Sequence, residues 1–314
     1  MSIGEYIGFV DSDDFIEETM FEKLYTKSKK EDLDIIMCKI TVYINETGET
    51  NEKHKYRSLQ VLNDFHGKVY NHLDTKDFTC SISVTPPNKI YKTEFLKENN
   101  IKFPEGLIFE DELFFYDSYL RAKKVSSINE NLYYYRMTEN SVIRGKDKDF
   151  SDILIIFKLT REKIKELGYI SIYKKQYYNY FIDSILTRFS QTSDKHKENF
   201  YKLMKEDFEN IITSKENIED DDYKLNLNDL KTNLRINVES ILKIEDYKEY
   251  EITEKINHLK YKNKQLEKEH RKLKKENKKL IKKSKKIKKR QKQILNSKSW
   301  KITKPLRKFS NRLK

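Results

Sequence analysis

The sequence is poor in cysteine, in long apolar runs and in hydrophobic residues overall. Its two cysteines, Cys38 and Cys80, form neither a CxxC pair nor another metal-type spacing, which predicts a reduced, intracellular protein. No run of about 18 apolar residues occurs, so no membrane-spanning helix is expected. The first five residues contain neither a basic nor an apolar region, so no signal peptide is expected.

Charge is distributed unevenly along the 314 residues. Residues 255–314 contain 26 Lys and Arg against 3 Asp and Glu, whereas residues 1–254 contain 38 basic and 48 acidic residues. The isoelectric point near 9.2 therefore describes the tail and not the acidic body. Hydrophobic and charged residues each make up 37% of the chain, which predicts a solvated or elongated part beside a globular one.

An apolar run that ends at three carboxylates lies near the start of the chain. Tyr6–Val10 is rich in aromatic and β-branched residues and predicts a buried strand, which Asp11, Asp13 and Asp14 follow directly. Carboxylates at the carboxyl end of such a strand suit Mg²⁺ or Mn²⁺ bridged to phosphate. Alternatively, Asp14 is the N-cap of a helix that begins at Phe15. The spacing alone leaves both interpretations open.

A second acidic cluster, Glu110-Asp111-Glu112, follows the apolar segment Leu107–Phe109 and precedes an apolar helix. The segment is predicted to be extended. Aromatic neighbours on both sides would leave the carboxyl of Asp111 or Glu110 half-buried, with a pKa raised by desolvation. Such a group is a candidate general base.

Extended and helical periodicities alternate along the rest of the body. Strands are predicted at Asp34–Tyr43, Val125–Ile128 and Asn131–Arg136. Helices are predicted around Phe15–Tyr25, Phe95–Leu96, Leu113–Leu120 and Ile153–Ile164, and over 171–212. Residues 219–222 (Glu-Asp-Asp-Asp) predict an acidic loop.

The tail has the most regular pattern in the sequence. Apolar residues recur at every seventh position, and mostly polar residues stand four positions after them, as in a coiled-coil heptad with an apolar d stripe and a polar a stripe. Asn at an a position favours an in-register dimer, whereas dense Lys charge weakens it, so a dimer and a single charged helix both remain open. The stripe consists of Ile252, Leu259, Leu266, Leu273, Leu280, Ile287 and Ile294.

Five segments occur in the order typical of one enzyme family. Together they resemble a family 2 glycosyltransferase of the GT-A fold, of the bacterial surface-polysaccharide type. The acidic segment 4–14 resembles the family's DxD segment, and Glu110-Asp111-Glu112 resembles its ED motif. The other three are Asn88–Lys92, Phe103–Gly106, and Leu132–Arg136 continued to Asn140-Ser141.

On the donor side, the resemblance implies roles for the residues of the DxD segment. Asp13 would be the principal metal ligand, and Asp11 would lie near the donor ribose or the metal. Ser12 and Asp14 would lie beside the donor. Weaker candidates for contact with phosphate are Arg136 and Arg144.

On the acceptor side, the resemblance implies that Asp111 is the base that deprotonates the acceptor hydroxyl and that Glu110 orients it or contacts the acceptor. The implied reaction is inverting transfer of a sugar from a nucleotide-sugar, such as a UDP-sugar, to a glycan or lipid-linked acceptor in surface polysaccharide synthesis. Mg²⁺ or Mn²⁺ would stabilise the departing diphosphate.

The resemblance implies an α/β fold. We expect a partial GT-A domain over 1–147, a helical extension over 148–250, a basic coiled-coil helix over 251–296 and a basic tail over 297–314. Family members carry further N-terminal strands that hold the nucleotide, whereas this sequence starts at the DxD strand. We therefore expect the nucleotide-binding half to be missing and transfer by this chain to be weak or absent.

The alternative function is a non-catalytic, dimerising scaffold that binds an anionic membrane surface or glycan through its basic tail. The pattern argues against nucleic acid as a partner, because the Lys-rich helix has no interleaved aromatic residues and no recognisable binding fold. The expected location is the cytoplasm, peripheral at the inner face of the membrane.

Overall fold

The computed structural model describes residues 3–51, 59–137, 147–213 and 224–302. The chain forms two compact units, Met1–Tyr247 and Lys248–Lys314. Within the described ranges, no helix is both long and apolar enough to cross a membrane. The finer domain boundaries expected at 147 and 250 stay predictions.

Short strands and longer helices make up the described residues. The strands are β1 (Tyr6–Gly8), β2 (Phe15–Ile16), β3 (Ile35–Ile44), β4 (Thr50–Asn51), β5 (Val69–Tyr70), β6 (Lys89–Lys92) and β7 (Val125–Met137). The helices are α1 (Met20–Glu31), α2 (Thr93–Glu98), α3 (Glu110–Arg121), α4 (Asp152–Glu166), α5 (Ile170–Gln191), α6 (Asp194–Thr213), α7 (Thr232–Lys243), α8 (Tyr247–Asn296) and α9 (Lys298–Ile302).

One mixed sheet joins the strands in the order β1-β6-β3-β7-β2, with β4 on β3 and β5 on β7. β3 and β7 run parallel, and the other described pairs are antiparallel. Met20 and Leu24 of α1 pack with Ile36, Cys38 and Tyr133 of the sheet in one buried cluster. Burying an aliphatic side chain of this size stabilises the fold by about 1.5–3 kcal/mol. The predicted α/β class is therefore confirmed.

β1, which precedes the first acidic cluster, lies at the edge of the sheet. It pairs with β6, and in the part of the chain that the structure describes no strand pairs with its other side. Tyr6 and Ile7 are half-buried, while Gly8 and Val10 are exposed. The prediction of a buried strand over Tyr6–Val10 is wrong, because an edge strand is covered on one side.

The residues after the first acidic cluster form a strand and not the start of a helix. Phe15–Ile16 pairs with Tyr133–Tyr134 of β7. Helix α1 begins at Met20, and Thr19 is its N-cap. The interpretation of Asp14 as a helix N-cap is therefore wrong, because backbone pairing to β7 holds this stretch extended.

The two strands predicted at Val125–Ile128 and Asn131–Arg136 form one strand, β7, beside β3. Its pairing register with β3 shifts on both sides of Lys39. Ile128 and Tyr133 both pack on the same core cluster, although residues an odd number of positions apart face opposite sides of a regular strand. The register shifts therefore turn Tyr133 towards the core and the first acidic cluster.

Helices α4 and α5 pack through aromatic side chains. The hydroxyl of Tyr177 donates a hydrogen bond to the carbonyl of Phe157 over 2.6 Å, and the rings of Phe157 and Phe181 lie 4.6 Å apart. The helices predicted around 153–164 and over 171–212 are confirmed, the second being split into α5 and α6. Helix α7 was not predicted, and the acidic loop at 219–222 lies outside the described residues.

Helix α8 spans 50 residues and has no buried side chain. The helix predicted for the tail is therefore confirmed. The seven residues of the heptad stripe are between 52% and 64% exposed. Of the predicted basic tail, residues 303–314 lie outside the described residues.

Candidate active site

The first acidic cluster forms a tight turn between β1 and β2. The amide of Asp14 donates a hydrogen bond to the carbonyl of Asp11 over 3.1 Å. Asp11, Ser12 and Asp13 are exposed in this turn. The carboxylates of Asp11 and Asp13 are therefore open to a ligand from solvent.

Asp14 is half-buried and is held by β7. The hydroxyl of Tyr133 donates to its Oδ2 over 2.6 Å, and the amide of Arg136 donates to its Oδ1 over 2.7 Å. The same hydroxyl accepts a hydrogen bond from the amide of Asp11 over 3.2 Å. Burial raises the pKa of Asp14 and the two hydrogen bonds lower it, while the charges of Asp11 and Asp13 raise it further. These hydrogen bonds therefore attach the turn to β7.

The second acidic cluster forms the first turn of α3. The helix begins at Glu110, and Phe109 before it adopts a left-handed backbone conformation with a φ of 68°. The prediction that Leu107–Phe109 is extended is therefore wrong. Glu110 and Asp111 are half-buried, as expected. Carboxylates in this turn are stabilised by the positive end of the helix dipole.

Glu112 is the buried member of this cluster. Its Oε1 accepts a hydrogen bond from the hydroxyl of Tyr180 on α5, and within the described ranges its Oε2 is buried without a hydrogen-bond partner. Burial, followed by the charge of Asp111, raises the pKa of Glu112 to about 8, while Tyr180 and Arg188 lower it. Glu112 is therefore mainly protonated at neutral pH.

Glu112 was not selected as a site residue from the sequence. The signal that was present is its spacing from Tyr116 and Tyr119, which places all three on one face of the helix. That face is buried. A carboxylate on the apolar face of a helix is a candidate for a strongly shifted pKa.

An aromatic cluster joins the two acidic clusters. The ring centroids of Phe9 and Phe114 lie 5.9 Å apart. Both rings also contact Tyr91, at 6.0 Å and 5.2 Å. Phe9 stands two residues before Asp11, and Phe114 stands three residues after Asp111. The segments that carry the two acidic clusters are therefore in contact through these aromatic rings.

Tyr91 provides a second link to the helix of Asp111. Its hydroxyl is buried, and no described residue hydrogen-bonds to it. Burial raises the pKa of Tyr91, and the charge of Asp111 raises it further. The carboxylate of Asp111 thus acts electrostatically on a side chain that contacts both Phe9 and Phe114.

Asn88 and Lys89, part of the motifs noted in the sequence, stabilise the fold beside the site. The buried Nζ of Lys89 donates to the carbonyls of Ser83 and Thr85 over 2.8 Å and 2.5 Å, and to Oδ1 of Asn88 over 2.7 Å. Asn88 Nδ2 donates to the carbonyl of Cys38 over 2.5 Å. A buried ammonium needs such partners to offset its desolvation. These bonds fasten the loop before β6 to the central strand β3.

Arg136 lies beside the turn through its backbone, while its side chain has other contacts. The guanidinium carbon stands 5.3 Å from the ring centroid of Phe15, and Nη1 is 3.5 Å from Oδ1 of Asn45. Its role in binding phosphate stays a prediction. Arg144 lies outside the described residues.

The two exposed carboxylates fit one mode of metal binding. Among the described residues, no group of three or more His, Cys, Asp or Glu side chains is placed to hold a metal ion. Mg²⁺ commonly takes one or two protein carboxylates and completes its shell with water and substrate phosphates, which Asp11 and Asp13 allow. Burial is the main cause of the raised pKa of Asp14, and a cation there would also weaken the smaller contribution from the charges of Asp11 and Asp13.

Comparison with known proteins gives a family match and several relatives. Residues 1–98 match the family model described as Glycosyl transferase family 2. Glycosyltransferase GlyG of Streptococcus pneumoniae is 32% identical over 149 residues, 45% of this chain and 46% of that protein. The poly(ribitol-phosphate) beta-glucosyltransferase of Bacillus spizizenii is 35% identical over 133 residues, 42% of this chain and 19% of that protein. The chain thus spans less than half of the length of these two relatives.

A solved structure shares the fold. Staphylococcus aureus TarS 1-349 in complex with UDP-GlcNAc matches with a TM-score of 0.51 and 20% identity, over 66% of this chain and 58% of that chain. The sheet and its helices thus resemble the GT-A fold of that protein. The family match contains the first acidic cluster and ends before the second.

Proposed function

We propose that this chain, a homologue of the family 2 glycosyltransferases, transfers a sugar from a nucleotide-sugar donor to an acceptor hydroxyl at the candidate active site. The observation that carries the proposal is the contact of Phe9 with Phe114, which joins the Asp11–Asp14 turn to the helix of Asp111. A relative of the same fold was solved with UDP-GlcNAc, so a UDP-sugar is the donor class to test first. Relatives named for poly(ribitol-phosphate) favour a surface glycan or lipid-linked acceptor.

Asp111 is the base in this proposal, with Glu110 beside it to orient it or contact the acceptor. Its carboxylate takes the proton of the acceptor hydroxyl while the acceptor oxygen bonds to the anomeric carbon of the sugar. The bond from that carbon to the diphosphate breaks on the opposite face, and the nucleoside diphosphate leaves with the electron pair. This single displacement inverts the anomeric configuration. Burial raises the pKa of Glu112 to about 8, so this third carboxyl of the cluster is not the proposed base.

Asp11 and Asp13 hold the donor side. In this proposal Asp13 is the principal ligand of Mg²⁺ or Mn²⁺, Asp11 lies near the ribose or the metal, and Ser12 lies beside the donor. When bound, the ion neutralises charge that develops on the departing diphosphate. Asp14 keeps its hydrogen bonds to β7 and fixes the turn on which the donor is oriented.

The test is a turnover assay of the full chain. A panel of UDP-sugars with Mn²⁺ is examined for hydrolysis and for transfer, beside the variants Asp13→Ala and Asp111→Asn. Asp183→Asn, an exposed acid on α5, is the matched control. We expect one donor to be turned over by the native chain and the control and by neither site variant. Turnover that persists in both site variants would overturn the proposal. The same assay tests the expectation from the sequence that transfer by this chain is weak or absent. No turnover of any donor by the native chain would bear out that expectation and overturn the proposal.

A second candidate function is binding of an anionic membrane surface through the C-terminal part of α8. Residues 277–296 carry ten Lys and Arg and no Asp or Glu, and all of them are exposed. A Lys or Arg near an anionic surface contributes about 1 kcal/mol of attraction.

Vesicle co-sedimentation tests this second function. We expect the full chain to sediment with phosphatidylglycerol vesicles and not with phosphatidylcholine vesicles. A variant with Lys282, Lys285, Lys286 and Lys289 changed to Gln should sediment less. Equal sedimentation of the variant and the native chain would contradict this function.

A further inference from the structure

The stripe of α8 is an apolar surface that the described part of the chain leaves uncovered. Its members recur every seven residues from Ile252 to Ile294 without a break, and each is more than half exposed. Ile256, at a neighbouring position of the same face, is 45% exposed. A soluble helix that presents such a row of large aliphatic side chains is typical of one that packs on a partner.

The spacing of the stripe distinguishes between a flat partner and a helical one. A straight α-helix turns through 3.6 residues, so a strict seven-residue repeat drifts about 20° around its axis per repeat. Over the six repeats from Ile252 to Ile294 the drift is about 120°. A flat membrane surface would therefore contact part of the stripe, whereas a second helix that supercoils around α8 contacts all of it.

We propose that α8 forms a parallel, in-register, two-stranded coiled coil with α8 of a second copy of this chain. In a parallel pair, a residue at the g position faces the residue five positions later on the other helix. Lys262 then faces Glu267 of the second copy, and Glu269 faces Lys274 of the second copy. Both of these pairs have opposite charges, and the symmetry of the dimer makes each pair twice.

An ion pair within one helix competes only weakly with the proposed pair between Glu267 and Lys262 of the second copy. Glu267 lies 3.8 Å from Arg271 of its own helix, and the two side chains are 70% and 80% exposed. Exposed pairs of this kind contribute little to stability, so the carboxylate of Glu267 remains available to the second copy.

The polar stripe of α8 favours the same arrangement. In register, Asn263 faces Asn263 of the second copy, and Asn277 faces Asn277 of the second copy. Asn at an a position selects two strands and a fixed register, because other arrangements leave its amide without a partner. Two such positions 14 residues apart fix both the direction and the alignment of the pair.

Charge limits the dimer at both ends. Lys255 would face Lys260 of the second copy, Lys283 would face Lys288, and residues 277–296 contain no acid to compensate. The pairing is therefore strongest between Lys262 and Leu280. Salt screens the repulsion between exposed lysines, so added salt strengthens the dimer.

Disulfide cross-linking of the full chain tests the direction and the register. Asn263→Cys and Asn277→Cys are each oxidised separately, with Lys275→Cys, on the outer face of the heptad, as the control. Cys38 and Cys80 remain in all three, and the unmodified chain measures their background. We expect each Asn variant to form a covalent dimer several-fold more than the control. An antiparallel pair brings at most one of the two positions together, so cross-linking at one position alone would overturn the proposal.

Charge exchange tests the partner. Sedimentation equilibrium should give a dimer mass for the native chain, and Lys262→Glu should raise the dissociation constant roughly tenfold. The double variant Lys262→Glu with Glu267→Lys should restore dimerisation. Lys268→Glu makes the same charge change on the outer face and should not raise the dissociation constant. Circular dichroism checks that every variant remains helical. A monomer or a trimer of the native chain, or equal weakening by Lys262→Glu and Lys268→Glu, would overturn the proposal.

Discussion

The two acidic clusters of this chain contain the same kind of side chain in opposite surroundings. The first stands in a turn at the edge of the sheet, where Asp11 and Asp13 are exposed and Asp14 is tied to β7. The second stands in the first turn of α3, where Glu110 and Asp111 are half-buried and Glu112 is buried. Exposed, paired carboxylates suit a hydrated cation, whereas desolvated ones suit a proton.

This difference shows that the chemistry of a carboxylate depends on its position in the fold. Asp14 and Glu112 illustrate it, because each is the member of its cluster that the fold takes out of solvent. Both have a raised pKa, chiefly through burial, but hydrogen bonds from β7 partly offset the effect at Asp14. Glu112 has one oxygen without a hydrogen-bond partner in the described residues, and its pKa rises to about 8.

The largest effect is expected at Asp111. Asp111→Asn removes the proposed base and keeps its shape, so kcat should fall roughly 10²- to 10⁴-fold. The dissociation constant for UDP, measured by calorimetry with Mn²⁺, should remain unchanged. If the variant lost UDP binding and kept kcat, the roles of the two clusters would be reversed.

The next largest effect is expected at Asp13. Asp13→Ala should lower kcat/KM with Mn²⁺ on the order of 10²-fold, because charge on the leaving diphosphate is no longer neutralised. Activity should also stop responding to the concentration of Mn²⁺. Glu18→Ala, an exposed acid near the same turn, serves as the control. A full response to Mn²⁺ in Asp13→Ala would contradict the metal role of the first cluster.

A third prediction concerns the pH dependence of stability. The folded-state pKa of Glu112, about 8, lies above its ordinary value of 4.5, so folding retains a proton that the unfolded chain releases. The stabilisation from this proton is complete below pH 4.5 and is lost as the pH rises to about 8, by at most ~1.4 kcal/mol per pH unit.

Urea unfolding between pH 5 and pH 8 measures this effect. Glu112→Gln, which mimics the protonated form, should have a flatter pH profile than the native chain. The difference between the two profiles isolates Glu112 from other carboxyls. Parallel profiles would show that Glu112 is ionised in the folded protein.

The smallest effect is expected at Tyr133, whose hydroxyl attaches the first cluster to β7 through hydrogen bonds with Asp14 and Asp11. Tyr133→Phe removes the hydrogen bonds to Asp14 and Asp11, so the free energy of unfolding should fall by about 1–2 kcal/mol. Tyr134→Phe removes a hydrogen bond to the exposed Glu17 and should cost about 0.5 kcal/mol or less. Urea denaturation compares the two. Equal losses would argue that the hydrogen bonds of Tyr133 do not stabilise the turn more than a surface contact does.

Local patterns predicted much of the fold. β3, α4 and α8 follow from hydrophobic periodicity within a single segment, and the two acidic clusters follow from their position after apolar residues. What could not be predicted depends on contacts between distant segments. Tyr133, 119 residues after Asp14, donates a hydrogen bond to the carboxylate of Asp14. Tyr180, 68 residues after Glu112, donates one to the carboxyl group of Glu112. The edge position of β1 likewise depends on the order of strands in the sheet.

The register shifts between β3 and β7 have a consequence for insertions and deletions. Ile128 and Tyr133 face the same core because the intervening residues of β7 change the alternation of faces. Deleting one residue between them would leave them four positions apart, so a regular strand would keep both on the same face. Deleting two would leave them three positions apart, and a regular strand would then turn Tyr133 to the opposite face and release Asp14 from its hydrogen bond. Loss of one residue in this short stretch should therefore be tolerated better than loss of two.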